Sequence, residues 1–285
     1  MNVPGIRDLV RHYGPGISPR RLGQCFLIDK KALVRIAQEA GAAPGDRVLE
    51  IGAGLGALTE ELLASGATVY AVERDSRFLK VLTDRLRDKP NLQLVRSDIL
   101  KVDLASYALG EPNSIRVVGN IPYSLTSPIL EFLQKQRQWV KLALLTVQKE
   151  VAQRIVASPG TREYSSLTLF VRSAFEPKIL FNISPGGFYP RPKVTSSVLR
   201  LKPLAVSPLP PDREDRILKL LRSVLAYRRK TLLNALQASG FKMEREELAR
   251  RLKAAGISPD CRAETMDLKQ MAALDLALTS APPLC

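Results

Sequence analysis

The chain has 285 residues and 45% apolar content, enough for a large domain plus a small one with real cores, which excludes a disordered polypeptide. Its 43 Lys and Arg against 28 Asp and Glu give a formal charge of +15, an excess that favours a polyanionic partner, either nucleic acid or an anionic membrane surface. Three widely spaced cysteines (Cys25, Cys261 and Cys285), one histidine (His12) and no CxxC support neither a disulfide framework nor a zinc site, so a reducing compartment and no metal are expected.

The N-terminal stretch carries Arg7, Arg11, Arg20 and Arg21 but no continuous apolar run. No later stretch approaches the roughly 18 apolar residues that cross a bilayer, so a soluble, cytoplasmic protein without a membrane partner is expected.

Elements then alternate. Val48-Leu49-Glu50-Ile51 reads as a strand, followed by a helix whose Leu58, Leu62 and Leu63 share a face. Thr68 to Val72 is the next strand, with a helix through Phe78, Leu79, Leu82 and Leu86 behind it. Leu92 to Val95, Ile115 to Gly119 and Leu142 to Leu145 continue the series. This alternation predicts an α/β fold: a mostly parallel sheet with helices on both faces.

Composition shifts at Pro203 to Pro211, where four prolines in nine residues can continue neither a helix nor a central strand. A boundary is placed there, giving domains 1–204 and 205–285. Beyond it Ile217, Leu220, Leu221, Val224 and Leu225 recur at helical spacing, as do Leu232, Leu233 and Leu236 and the segments near 248–252 and 268–278. The second domain is read as small and all-helical.

Chemistry gathers at the strand ends. Glu50-Ile51-Gly52-Ala53-Gly54-Leu55-Gly56 follows the first strand, its glycines suited to a sharp turn and close backbone approach to a ligand. The spacing is GxGxG rather than the dinucleotide GxGxxG, and Glu50 suits a cationic or amine-bearing ligand better than a diphosphate. Glu73 ends the second strand and can accept from a ribose diol; Asp98, after the third, can accept from an adenine amino group. Together they describe S-adenosylmethionine. Each alone has a plainer reading, as a tight turn, a solvated carboxylate or a helix cap.

Asn120-Ile121-Pro122-Tyr123 ends the fourth strand. An amide, a backbone carbonyl that the proline leaves out of a helix and an aromatic ring make a receptor for a flat amino-bearing base. The alternative is a strand-ending turn whose Tyr packs on the core. Phe188-Tyr189-Pro190-Arg191-Pro192-Lys193-Val194 adds a second aromatic beside two cations, offering ring faces and phosphate contacts.

These motifs resemble the KsgA-type ribosomal RNA adenine dimethyltransferases, a family that also includes the Erm methyltransferases. The likeness runs through Gly23-Gln24-Cys25-Phe26-Leu27, the GxGxG loop with Leu58-Thr59, Glu73, Ser97-Asp98, Asn120 to Tyr123, the Phe188 to Val194 loop, and Tyr227-Arg228-Arg229-Lys230-Thr231-Leu232 with Asn234. Cys25 is a departure, because the family usually has Asn or His there. A polar contact to the cofactor is then missing or replaced.

The resemblance implies a Rossmann-like methyltransferase domain and transfer of two methyl groups from S-adenosylmethionine to N6 of each of two adjacent adenines near the 3′ end of 16S ribosomal RNA, in the 30S subunit or its precursor. S-adenosylhomocysteine is the implied product, and a monomer is expected. Gln24, Cys25, Leu27, Glu50, Gly52, Gly54, Glu73, Asp98 and Asn120 are the expected cofactor residues. Asn120, Ile121, Pro122, Tyr123 and Phe188 are the expected base site, with Tyr123 and Phe188 flanking a flipped adenine. Arg191, Lys193, Arg228, Arg229 and Lys230, with Arg20 and Arg21, are the expected phosphate contacts. The alternatives are an Erm-type enzyme acting on large-subunit RNA, a non-catalytic assembly or transcription factor of the same fold, and a nicotinamide oxidoreductase, which the loop spacing disfavours.

Overall fold

The structure is a computed structural model that describes residues 25–279. It divides into two compact units. Among the described residues, one takes 25–152 together with Glu176–Pro203; the other takes Gln153–Phe175 and 204–279. The break at 203/204 falls where the proline-rich stretch begins, while residues 153–175 join the later unit.

The first unit is built on strands β2 (Arg47–Ile51), β3 (Thr68–Glu73), β4 (Leu92–Arg96), β5 (Ile115–Asn120), β6 (Val140–Gln148), β7 (Phe175–Ile183) and β9 (Ser196–Pro203), in the spatial order β4-β3-β2-β5-β6-β9-β7. β4 through β6 are parallel and β9 runs antiparallel to β6. The first five positions follow the doubly wound order, so the topological switch point lies between β2 and β5, where ligands of such sheets collect. A small ladder pairs β1 (Phe26–Leu27) with β8 (Phe188–Tyr189).

Local sequence explains the helices. Asp29 begins α1 (Lys30–Ala40) by accepting from the Lys31 and Ala32 amides, and Gly41 ends it in the left-handed region. Ala32, Leu33, Ile36 and Ala40 form its buried stripe. Glycine 56 precedes α2 (Ala57–Leu63), and Asp75 caps α3 (Ser76–Leu86). Buried side chains of all three helices join Val48, Val69, Ala71, Val118, Leu144 and Val198 of the sheet in one apolar cluster, so the strands' β-branched runs are enclosed as a parallel sheet requires. Arg116 of β5, nearly fully buried, donates to the carbonyls of Ala40 and Gly41 and pairs with Asp46 at 2.7 Å, closing the C-terminus of α1.

In the second unit the described elements after Leu204 are four helices, Glu214–Leu225, Leu232–Ala238, Arg245–Ala254 and Leu268–Thr279, and one 3₁₀ turn, Ala263–Thr265. Ser166–Arg172 adds a further helix to it. Asp275, 2% exposed, takes both Nε and Nη2 of Arg216 at 2.7 Å, pinning the last helix to the first. Among the described residues no helix is long and apolar enough to cross a membrane.

Candidate active site

Strand register brings the predicted residues together. Ile51 pairs with Val72 on one side and Gly119 on the other, so the glycine loop, Glu73 and Asn120 leave three neighbouring strands at one level. Glu73 in turn pairs with Arg96, which sets Ser97-Asp98 alongside. The resulting cavity of about 460 Å³ is lined by Cys25, Leu27, Glu50, Gly52, Gly54, Glu73, Asp98, Asn120, Ile121, Pro122 and Tyr123, among others. A volume of this order suits a small-molecule ligand.

Glu50 is 2% exposed and accepts from the Thr59 hydroxyl at 2.6 Å. Complete burial pushes its carboxyl up to about 7; the Thr59 bond works against that rise and the nearby charge of Glu73 adds to it. A buried acid poised near neutrality is stabilised in its charged form by a cation placed beside it, which is the chemistry expected of a bound amine or sulfonium.

Glu73 is held by its own backbone surroundings. Its Oε2 accepts from the Gly54 amide (3.0 Å) and its Oε1 from the Arg74 and Asp75 amides (2.8 and 2.9 Å). Burial raises its pKa against these three donors. Three of roughly four acceptor positions of the carboxylate are engaged, so one remains to accept from a ligand hydroxyl. Gly54 adopts a φ of +54°, and a Cβ there would lie 3.1 Å from the Phe26 ring, which is why the loop needs glycine.

Asp98 divides its two oxygens. Oδ1 caps the turn Ile99–Lys101 through the Leu100 amide (3.0 Å), and Oδ2 faces the largely exposed Arg74 guanidinium at 3.5 Å. It is a cap and an available acceptor at once.

Asn120 donates its Nδ2–H to the Cys25 carbonyl at 2.9 Å. Its amide oxygen is thereby turned away from that carbonyl, as the only acceptor the side chain has left. The Pro122 carbonyl accepts from the Leu125 amide (2.9 Å) to close a 3₁₀ turn, which leaves the preceding Ile121 carbonyl outside the turn's own bonds. Tyr123 is half-buried, its hydroxyl 2.7 Å from Ser196 Oγ. Burial raises the phenol's pKa more than the Ser196 bond lowers it, so it is protonated at neutral pH.

Other expected residues lie elsewhere. Phe188 is 3% exposed, pairs with Leu27 and belongs to the apolar cluster rather than to the cavity wall; its neighbour Tyr189 is the exposed aromatic. Arg191, Lys193, Arg229 and Lys230 are exposed. Arg228 is not a free cation: its Nε meets Glu264 at 3.0 Å, and its Nη2 donates to the carbonyls of Arg162 (2.8 Å) and Thr161 (3.4 Å). Gln24, Arg20 and Arg21 lie outside the described residues. Phe26, Thr59, Ser196 and the backbone of Cys25 support the site without having been singled out for those tasks. Phe26 and Thr59 stood within the motifs that carry the family resemblance, whereas Ser196 and the Cys25 backbone carried no such signal.

Comparison with known proteins identifies the family. The family model described as ribosomal RNA adenine dimethylase matches residues 18–276. A protein of Geobacter metallireducens named ribosomal RNA small subunit methyltransferase A is 39% identical over 269 residues, covering 93% of this chain and 97% of that one. A protein of the same name from Pelotomaculum thermopropionicum is 40% identical over 282 residues, covering 94% of each. Among solved structures, a dimethyladenosine transferase from Plasmodium falciparum superposes with a TM-score of 0.74 at 26% identity, over 86% of this chain and 94% of that one. The 23S rRNA methyltransferase ErmE gives 0.66 at 28%, over 90% and 100%. Glycine loop, strand-end carboxylates and Asn120 at one switch point, with a family match spanning both units, lead to one conclusion: the chain belongs to the ribosomal RNA adenine dimethylase family, enzymes that use S-adenosylmethionine to methylate adenines of ribosomal RNA.

Proposed function

We propose that this enzyme methylates N6 of two adjacent adenines near the 3′ end of 16S ribosomal RNA, in the 30S subunit or its precursor, as a cytoplasmic monomer. The carrying observation is the orientation of Asn120. With Nδ2–H held by the Cys25 carbonyl, its oxygen is the acceptor offered to an exocyclic N–H at the end of β5. The relatives named ribosomal RNA small subunit methyltransferase A support the choice of RNA.

S-adenosylmethionine supplies an electrophilic methyl group on a cationic sulfur. The chain's part is positioning. An adenine amine is a poor nucleophile because its lone pair is delocalised into the ring. In the first transfer the Asn120 oxygen and the Ile121 carbonyl accept the amine's two N–H bonds, and in the second one of them accepts the single N–H that N6-methyladenine retains. This favours a more tetrahedral nitrogen as the methyl arrives, and each transfer sheds one N–H proton to solvent. Tyr123 offers a ring face on which the flipped base stacks, a contact worth about 1 to 3 kcal/mol that offsets the cost of flipping. Glu50, Glu73 and Asp98 hold the cofactor's amine, ribose and adenine, with Leu27, Gly52 and Gly54 as walls. The helical part from residue 205, together with 153–175, docks on RNA, with Arg191, Lys193, Arg229 and Lys230 meeting phosphates.

Transfer of labelled methyl groups to unmethylated 30S particles, compared with 50S particles and free 23S RNA, tests this reading. Four methyl groups per 30S particle are expected from two adenines dimethylated each. Labelling confined to 23S RNA would favour an Erm-type enzyme instead, and no labelling of any RNA would remove the enzymatic reading.

A further inference from the structure

Ser196 does not line the cavity and is 0% exposed, yet its hydroxyl meets the Tyr123 hydroxyl at 2.7 Å. Two independent features fix its position. It is the first residue of β9, in register with Gln148 of β6, and the adjoining Thr195 carbonyl accepts from the Lys149 amide at 3.0 Å. Tyr123 is constrained at its other end as well, its own carbonyl accepting from the buried Thr126 hydroxyl at 3.0 Å. The ring of this half-buried, cavity-lining residue therefore hangs between two anchors, one on its backbone and one on its phenol oxygen.

We propose that Ser196 is a positioning residue for methyl transfer: by holding the phenol oxygen of Tyr123 it sets the plane of the ring on which the target adenine stacks. This rests on the function proposed above, in which Tyr123 is the stacking platform. A ring with a free hydroxyl end samples several χ1 and χ2 settings, and each base bound must then select one. A tethered ring has already lost that freedom. The benefit falls on the geometry of the bound base rather than on gross RNA affinity, which phosphate contacts elsewhere dominate.

The test has two arms. The chain contains seven tyrosines, so uniform 3-fluorotyrosine labelling of the full-length protein gives a tractable fluorine spectrum, with Tyr123→Phe identifying the signal of interest. Ser196→Ala is expected to shift or broaden that signal and leave the others in place; an unchanged Tyr123 signal overturns the tether. In the second arm, Ser196→Ala is expected to lower kcat on unmethylated 30S particles by about fivefold, the scale of one lost hydrogen bond, with KM for the particle and the affinity for S-adenosylhomocysteine unchanged. Tyr123→Phe should lose a similar amount, and the double variant no more than either. A kcat within about twofold of the parent, or a loss confined to KM, overturns the proposal. A parent enzyme inactive on every RNA defeats the proposed function itself, an outcome distinct from an active parent with an equally active Ser196→Ala.

Discussion

The side-chain amide of Asn120 and the main-chain carbonyl of Cys25, 95 residues apart in sequence, are joined by a 2.9 Å hydrogen bond that decides which end of the amide remains to meet a substrate. Because the acceptor is backbone, the identity of the Cys25 side chain is secondary to this task. Cys25→Ala and Cys25→Ser should keep methyl transfer within about threefold of the parent, whereas Asn120→Ala should lose on the order of 10²-fold in kcat. Asn120→Asp should fare no better, since a carboxylate cannot donate to the carbonyl and repels it. Burial raises the Cys25 thiol's pKa, so thiol-alkylating reagents should react with it more slowly than with a free thiol at neutral pH. Single-turnover transfer rates and alkylation time courses check these outcomes.

Glu50 makes the enzyme's behaviour depend on pH. In the unfolded chain its carboxyl titrates near 4.5 and in the folded protein near 7, so the native state binds the proton more tightly. Its contribution to stability is fully present below 4.5 and is lost as pH rises through about 7. The ligand-free protein should melt at lower temperature at about pH 8 than at about pH 5.5, and Glu50→Gln should reduce that slope. A cationic ligand reverses the preference by stabilising the carboxylate. Cofactor binding should therefore release protons near neutral pH, seen by calorimetry in buffers of different ionisation heat, and Glu50→Gln should abolish the release.

Much of this was legible in the sequence because it is carried by residue type and period. Val69, Ala71 and Val72, like Val117 and Val118, announced buried parallel strands, and glycines followed by strand-end carboxylates announced a ligand edge. What stayed hidden has no such signature. The Cys25 carbonyl acts through the backbone, and a main-chain atom leaves no mark on residue identity. The β1–β8 ladder has two residues per strand, too few for any alternation to be read, yet its pairing with Leu27 is what draws Phe188 into the core. Residues 153–174 precede the strand Phe175–Ile183 in an apparently continuous α/β pattern, and only three-dimensional contacts assign them to the later unit.

Gly119 is the residue whose importance comes from space rather than conformation. A Cβ there would stand 2.9 Å from Ile51 Cβ and 3.1 Å from the Ile51 carbonyl oxygen, a main-chain atom that cannot swing aside. Gly119→Ala should cost about 1 to 3 kcal/mol in urea denaturation as β2 and β5 are forced apart. Because Asn120 is the next residue, transfer activity of the folded variant should fall as well. Gly52, where an added Cβ meets nothing within 4 Å, is strained by its φ of +69° instead, so Gly52→Ala should impair the loop without separating the strands.

Arg228 and Arg229 are adjacent arginines with opposite expected effects. Arg228 ties the turn after the helix Glu214–Leu225 to Glu264 and to the carbonyls of Thr161 and Arg162, all within the second unit. Arg228→Ala should destabilise that unit by about 1 kcal/mol, a value held down by the partial exposure of the pair, and should leave the salt dependence of RNA binding nearly as it was. Arg229 is exposed and Lys230, though 5.7 Å over the Tyr227 ring, keeps its ammonium at the surface. If these two neutralise phosphates, Arg229→Ala with Lys230→Ala should weaken binding and reduce the slope of log affinity against log salt by about 1 to 2 units. Filter-binding titrations over a range of salt, paired with thermal melts of the same proteins, separate the two roles, and an unchanged slope in the double variant would show that RNA docks through another face.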